Sequence, residues 1–167
     1  GDPAACGAPG LNPQLGDLRY NLVWYVRGPQ HSSPLGYGPH AADPETGEVS
    51  WTWWTVPTKK GDPGLETWGS LEGAKHGAGN VWIPGVYDPE TNLYIFGTGN
   101  PSPAYTNPPS RDGDNLYTCS IVALDMSTGK MKWYYQMNPH DTHDWDSSET
   151  PILVDGDFKG KQRKMVM

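Results

Sequence analysis

The sequence predicts an all-β protein built as a β-propeller. Two observations carry this prediction: a strand–turn–strand unit recurs along the chain, and its copies lie roughly forty residues apart. Repeats of that length, each a set of short strands around a tight turn, are typical of propeller blades. A third observation agrees, because no segment shows the periodicity of a long amphipathic helix. The 167 residues therefore correspond to about three to four blades.

The recurring unit has the form Ala-x-Asp-x-x-Thr-Gly-x-x-x-Trp. It occupies residues 41–51 and 123–133, and a diverged copy reads Asp-Pro-Glu-Thr-Asn from Asp88 onward. The aspartates Asp43, Asp88 and Asp125 are 45 and 37 residues apart. Asp-x-x-Thr-Gly favours a tight turn, because the Asp side chain caps nearby backbone and Gly accepts a positive φ. A β-sandwich with chance similarity between hairpins is the alternative fold.

Segments that alternate between apolar and polar residues or are continuously apolar flank these turns and are predicted to be strands: 93–96, 120–124 and 131–136. Residues 1–40 are rich in Gly and Pro, and we interpret them as an irregular segment with one strand near 20–26. The chain thus divides into this segment and a propeller part, residues 41–167. Because the final residues resemble a strand just beginning, we expect the chain to be a fragment of a larger propeller.

Composition excludes several classes of protein. The formal charge of −7 argues against nucleic acid as a partner. Eight Trp and nine Tyr favour an ordered chain, since large rings gain stability by burial. No apolar run approaches the ~18 residues of a membrane helix. Cys6 and Cys119 allow one disulfide or none, and they do not form a zinc pattern.

The recurring unit resembles the tryptophan-docking motif of quinoprotein alcohol dehydrogenases. Three further segments are similar to that family's W-x-x-x-x-Y-D-P-x-x-N-L, G-[ST]-G-N-P-x-P and P-H-D-x-W-D motifs, in the family's order: residues 82–93, 97–103 and 139–144. The resemblance implies an eight-bladed propeller holding pyrroloquinoline quinone (PQQ) and a metal ion on its axis. It also implies an oxidoreductase that converts a primary, methanol-like alcohol to an aldehyde by hydride transfer to PQQ.

The same resemblance implies that Asn100 and Asp144 are metal ligands and that Asp144 is the catalytic base. An amide oxygen is a hard ligand suited to Ca²⁺ or a lanthanide. A base at Asp144 would take the hydroxyl proton of the alcohol. The alternatives are a turn Asn that caps its own backbone and a solvated acidic loop. A zinc site using His140 and His143 is a further alternative, but no accompanying ligand set is visible in the sequence.

Asp146, two residues after the proposed base, predicts the choice of metal. Lanthanide-dependent methanol dehydrogenases carry a second Asp at this offset, whereas calcium-dependent relatives usually have a small residue. A trivalent ion requires more anionic oxygen than a divalent one. Asp146 is therefore assigned as a third ligand, to a lanthanide in preference to Ca²⁺. The alternatives are a calcium enzyme and a simple turn aspartate.

The resemblance also implies three cofactor contacts. Trp82 aligns with the family's Trp on which the quinone stacks, and the alternative is a core Trp. Gly79 would let backbone approach the quinone closely. Asn80 stands where the family commonly has Ser or Thr reaching a quinone oxygen. Trp51 and Trp133, which close the repeats, are assigned to docking between blades.

Two family features are missing from the sequence, namely a glutamate metal ligand on an earlier blade and a pair of adjacent cysteines. The place of the glutamate corresponds to residues 33–38, and Asp17 is the nearest acid upstream. By resemblance we expect a cytochrome c as electron acceptor, a periplasmic location and, as one possible assembly, a homodimer. A non-catalytic propeller scaffold with the same docking motif is the alternative function.

Overall fold

The computed structural model describes residues 22–24, 37–43 and 46–167, and most of its regular structure is β-strand. The strands are β1 (Leu22–Trp24), β2 (Tyr37–Ala42), β3 (Val49–Trp54), β4 (Val86–Asp88), β5 (Leu93–Gly97), β6 (Ser120–Asp125), β7 (Met131–Gln136), β8 (Leu153–Phe158) and β9 (Lys161–Val166). Helical structure in this part of the chain comprises α1 (Leu71–Lys75) and 3-10 turns at Leu65–Thr67 and Pro109–Arg111.

The strands form three antiparallel sheets in chain order: β1-β2-β3, β4-β5-β6-β7 and β8-β9. Each strand pairs with its neighbour in sequence, which is the meander of a propeller blade. The described residues therefore supply three strands of one blade, a complete four-stranded blade and the first hairpin of a third. The predicted strands at 93–96, 120–124 and 131–136 coincide with β5, β6 and β7.

The Asp-x-x-Thr-Gly segments form the turns that the sequence predicts. Oδ1 of Asp125 accepts hydrogen bonds from the backbone N–H and the hydroxyl of Thr128, each at 3.0 Å. Gly129 follows with φ 67°. Asp43 caps the first copy in the same way. In the diverged copy Asn92 takes the glycine's place with φ 54°, which Asn tolerates better than other side chains.

Trp51 joins the first sheet to the second. Its Nε1–H donates to the carbonyl of Met126 at 2.9 Å. Its ring lies so close to Gly129 that a Cβ there would be 2.6 Å from Cδ2 of the indole. The Trp of one repeat thus packs on the Gly of the next, as the docking assignment requires. Trp133, the equivalent residue on β7, is 37% exposed.

The core lies between the first and second sheets and is aromatic at its centre. Phe96, Val122 and Leu124 are fully buried. Trp53 of β3 meets Phe96 edge-on, with ring centroids 5.7 Å apart. Edge-to-face rings of this kind add about 0.5–1.5 kcal/mol to the gain from burial. The second sheet is therefore a firm base for the loops at its ends.

The β8–β9 hairpin attaches to the second sheet through an ion-pair cluster. Nζ of Lys164 lies 3.1 Å from Oδ1 of Asp88 and also contacts the Glu90 carboxylate. Asp88 is buried, and the Thr91 hydroxyl donates to it at 2.6 Å. That hydrogen bond, together with Lys164, holds the pKa of Asp88 below its usual value.

Several sequence expectations fall outside the described residues: Cys6, Asp17, residues 33–36 and most of the segment 20–26. β2 begins at Tyr37, so it crosses the expected limit between residues 40 and 41. In the part of the chain that the structure describes, no helix is long and apolar enough to cross a membrane.

Candidate metal centre and cofactor platform

Two loops that are distant in sequence lie side by side at the end of β5. The first continues β5 through Thr98 and Gly99, and the second contains Ser147. The Ser147 N–H donates to the carbonyl of Thr98 at 3.1 Å. A Cβ at Gly97 would collide with the Ser147 carbonyl, so glycine is what allows the backbones this close.

Asn100 and Asp146 meet where these loops run together. The Asn100 backbone N–H donates to Oδ1 of Asp146 at 2.9 Å. Nδ2 of Asn100 donates to the carbonyl of Pro101 at 2.9 Å, which leaves the amide oxygen as its accepting atom. The structure therefore brings together two of the three predicted metal ligands through a direct contact.

Asp144 lies in a loop that a different acid organises. Asp141 is 1% exposed. Its Oδ2 accepts the N–H groups of Asp144 and Trp145 at 2.9 and 3.1 Å, and its Oδ1 accepts that of His143 at 3.2 Å. Asp144 is held at φ 70° with its side chain exposed. Because Asp141 caps the loop, the Asp144 carboxylate is left for other contacts.

One such contact comes from Tyr105. Its hydroxyl donates to Oδ2 of Asp144 at 2.8 Å, and this hydrogen bond raises the pKa of Tyr105. Tyr105 is 71% exposed, so the contact lies at the open side of the site. No sequence signal identified Tyr105. The role of Asp141, by contrast, has a signal, since an Asp followed by backbone that folds onto it is a common loop cap.

The electrostatics of the loop fit a bound cation. The protein atoms around the Asp146 carboxyl remove water and raise its pKa, while the Asn100 N–H opposes the shift. The neighbouring carboxylates of Asp144 and Asp141 raise it further. Negative groups held together in this way repel one another, and a hard cation among them would relieve that repulsion.

The donors available to such a cation are all oxygens, which suits Ca²⁺ or a lanthanide better than zinc. Within the described residues, no three His, Cys, Asp or Glu side chains come together as a metal-binding group. Of the predicted ligands, Asn100 and Asp146 are in direct contact, whereas the Asp144 carboxylate hydrogen-bonds to Tyr105, so the described residues do not assemble a complete ligand set. Nδ1 of His140, a residue of the zinc alternative, lies 2.6 Å from the carbonyl oxygen of Gly113 and is engaged there.

Trp82 lies against the same edge and is 47% exposed. A Cβ at Gly99 would be 2.5 Å from Cζ3 of the indole and 3.0 Å from Oδ1 of Asp146. Trp82, the predicted stacking residue, and Asp146, a predicted metal ligand, thus both pack against Gly99. An exposed indole beside a cluster of oxygen donors is a suitable platform for a flat, polar-edged cofactor.

Gly79 and Asn80 run along the opposite side of that glycine. The Gly79 N–H donates to the carbonyl of Asn100 at 3.0 Å, and the Gly99 N–H donates to the carbonyl of Asn80 at 2.9 Å. Gly79 has φ 74°. The three predicted cofactor residues and two of the predicted metal ligands therefore lie around one short stretch of backbone.

Two neighbouring groups contribute to the shape of the site. The imidazole of His143 stacks on the indole of Trp145, with centroids 4.7 Å apart. The Cys119 thiol is buried and donates to the Trp145 carbonyl at 3.2 Å. Burial raises the pKa of this thiol to about 12, so Cys119 stays protonated at neutral pH.

Comparison with known proteins identifies the family of the chain. Residues 28–167 match the family model for the PQQ-containing glucose/ethanol/alcohol dehydrogenase β-propeller domain. The quinohemoprotein alcohol dehydrogenase of Comamonas testosteroni is 40% identical over 141 residues, which cover 76% of this chain and 20% of that protein. The quinohemoprotein alcohol dehydrogenase ADH IIB of Pseudomonas putida is 39% identical, covering 76% of this chain and 20% of its own.

A solved structure also resembles the chain. A europium-containing methanol dehydrogenase superposes with a TM-score of 0.69 at 32% identity, covering 77% of this chain and 25% of that one. The chain thus spans about a fifth of the length of the curated relatives that it matches. These matches confirm the predicted β-propeller and the predicted resemblance, and the chain belongs to the PQQ-dependent glucose/ethanol/alcohol dehydrogenase propeller family.

Proposed function

We propose that the whole protein oxidises a primary alcohol to an aldehyde with PQQ and a metal ion, preferably a lanthanide. The observation that carries the proposal is the contact of Asn100 with Asp146 beside Trp82. That contact places oxygen donors for a hard cation next to an exposed indole that can support a planar cofactor. A scaffold propeller would not require this combination.

Each residue has a distinct part in the proposed reaction. Asn100, Asp144 and Asp146 would hold the metal, and Trp82, with Gly79 and Asn80 beside it, would support the quinone. When bound, the cofactor and its metal supply a hydride acceptor polarised by a Lewis acid. Asp144 takes the hydroxyl proton of the alcohol, since its exposed carboxylate can be reached from solvent.

The preference for a lanthanide depends on Asp146. Burial raises the pKa of its carboxyl, and the neighbouring acids add to the effect, so both disfavour the charged form in the metal-free protein. A trivalent cation compensates such a cluster more fully than a divalent one. The europium-containing neighbour supports this choice, and Ca²⁺ is the alternative ion.

Elemental analysis of the whole protein, purified from its natural source, tests the proposal together with an alcohol-oxidation assay using an artificial electron acceptor. We expect a stoichiometric lanthanide and activity that depends on PQQ. If calcium is the only metal found, the proposal of an alcohol dehydrogenase stands, but Asp146 does not select a lanthanide. Absence of both metal and activity would overturn the proposal in favour of a scaffold.

We further propose, from the family, that electrons pass to a cytochrome c and that the protein works in the periplasm. The relatives are bacterial, and the periplasm is a bacterial compartment, which supports the proposed location. Reduction of purified periplasmic cytochrome c by the enzyme and its alcohol would support the acceptor. Failure of that transfer, with activity toward the artificial acceptor retained, would contradict it. Light scattering on the whole protein would show whether it forms a homodimer.

A further inference from the structure

The guanidinium of Arg111 is buried and contacts two segments of the candidate site. Arg111 is 1% exposed and ends the 3-10 turn Pro109–Arg111. It donates to three oxygens: the carbonyl of Thr106 at 2.6 Å, the carbonyl of Asp141 at 2.8 Å and Oδ1 of Asn115 at 3.0 Å. A buried cation is costly unless it is hydrogen-bonded, and here Nη1 and Nη2 make all three bonds while Nε has no partner among the described residues.

Two of these oxygens belong to the segments that form the open side of the site. Thr106 directly follows Tyr105, and Asp141 begins the loop that carries Asp144. The hydroxyl of Tyr105 and the carboxylate of Asp144 are the groups that meet at 2.8 Å. Arg111 therefore connects the two segments through backbone that lies one residue from Tyr105 and three residues from Asp144.

Asp141 carries the effect of Arg111 to the backbone of Asp144. Its carbonyl accepts from Arg111, while its carboxylate accepts the N–H of Asp144. Burial lowers the pKa of the Arg111 guanidinium, and the nearby Asp141 charge opposes that shift. The side chain of Asn115 completes the arrangement, since Nδ2 donates back to the carbonyl of Arg111 at 2.7 Å.

We propose that Arg111 is a positioning residue for Asp144: by binding the carbonyls of Thr106 and Asp141, it sets the Tyr105–Asp144 hydrogen bond and orients the carboxylate. The inference rests on the proposed function, in which Asp144 is the base. A planar guanidinium can bind several carbonyls in fixed directions, which the single ammonium of Lys cannot. Misplacing a reacting group by about 1 Å can cost a hundredfold in rate.

Hydrogen exchange tests the structural half of the inference without any need for activity. Without the guanidinium on its carbonyl, Asp141 should hold the amides of Asp144 and Trp145 less firmly. In the whole protein carrying Arg111→Lys, these two amides should therefore exchange at least about tenfold faster. The amides of β5 should be unchanged. Arg163→Lys, an exposed arginine on β9, is the matched control. Unaltered protection of the loop would overturn the proposal.

A double-mutant cycle tests the functional half. Arg111→Lys should lower kcat by about 10- to 100-fold with KM little changed. If Arg111 acts through Tyr105, adding Tyr105→Phe should cost less than it does in the wild type. Strictly additive losses would overturn the inference, because they would indicate two independent effects.

Tyr105→Phe keeps the inference testable if Arg111→Lys fails to fold. Tyr105 is exposed, so this variant removes one hydrogen bond from the surface and leaves the core intact. A loss of kcat without loss of stability is expected, and unchanged kcat would contradict the inference. A wild-type protein that oxidises no alcohol would instead overturn the proposed function, and hydrogen exchange would still decide the role of Arg111.

Discussion

The indole of Trp82 and the carboxylate of Asp146 meet over the α-carbon of Gly99. A Cβ at Gly99 would be 2.5 Å from the indole and 3.0 Å from the carboxylate oxygen, so the three groups are packed without spare room. Trp82 belongs to the segment that precedes β4, and Asp146 lies beyond β7. The complete blade between them is what brings a candidate cofactor support and a candidate metal ligand together.

Substitution of Gly99 by Ala should weaken cofactor binding. The added methyl group would displace the Trp82 ring, and overpacking of this kind costs about 1–3 kcal/mol. If this cost falls on the cofactor-bound state, the affinity of the whole protein for PQQ should drop roughly 5- to 150-fold, measured by titration of Trp fluorescence. Gly156→Ala on β8 is the control, because only the Met165 side chain lies near it, at 3.7 Å. If Gly99→Ala binds PQQ with the same affinity as the wild type, Trp82 does not contribute to binding of the cofactor.

Asp144→Asn should abolish most of the turnover and leave folding intact. The amide cannot accept the alcohol proton, so kcat should fall at least about a hundredfold, the usual contribution of a positioned base. Circular dichroism of the variant should match that of the wild type, because Asp144 is exposed. Asp155→Asn, another exposed acid, is the control and should retain full activity. Unchanged turnover in Asp144→Asn would end the assignment of the base.

Asp146→Ala should discriminate between metals. Loss of one anionic oxygen weakens binding of a trivalent ion more than that of a divalent one. We expect at least a tenfold loss in terbium affinity, or about 1.4 kcal/mol, and a smaller loss for Ca²⁺, both measured by luminescence and competition. Asp155→Ala should change neither affinity. Equal losses for both ions would show that Asp146 does not select the metal.

Asp146→Asn should stabilise the metal-free protein at neutral pH. The pKa of Asp146 is raised above its ordinary value of 3.8, so the ionised carboxylate opposes folding. This penalty appears as the pH rises through the unfolded-state pKa and is complete above the folded-state pKa. The urea midpoint of the variant should therefore exceed that of the wild type at pH near 7. In acid, where both states are protonated, the two midpoints should converge, and a less stable variant at neutral pH would contradict the electrostatic account.

Gly129→Ala should destabilise the propeller more than Gly160→Ala does. Both glycines have positive φ, 67° and 74°, so both substitutions introduce backbone strain. A Cβ at Gly129 would also collide with Trp51 at 2.6 Å, whereas nothing lies within 4 Å of one at Gly160. The extra cost should be about 1–3 kcal/mol, measured by urea unfolding of the whole protein. Equal effects would indicate that Trp51 contributes little to docking.

The strands that the sequence predicts are those with an unambiguous local pattern. β5 and β6 are largely apolar, and β7 is rich in aromatic residues. The Asn variant of the turn precedes β5, and an Asp-x-x-Thr-Gly turn separates β6 from β7, so their limits follow from side-chain chemistry. β2 has no such pattern, because its residues include Gly38 and Pro39. A Cβ at Gly38 would collide with the Trp53 carbonyl, so the glycine reflects a neighbouring strand that local sequence does not reveal.

The sequence by itself predicted the blade turns, because Asp, Thr and Gly act there on nearby backbone. The docking role of Trp51 and the candidate ligands Asn100, Asp144 and Asp146 were predicted from the resemblance of their motifs to those of the quinoprotein family. Only the tertiary structure showed that Tyr105 contacts Asp144 and that Arg111 contacts the segments of both. The contacts of Tyr105 with Asp144 and of Arg111 with Asp141 join residues 39 and 30 positions apart. Loop lengths and strand register, which no local pattern encodes, decide where such segments meet.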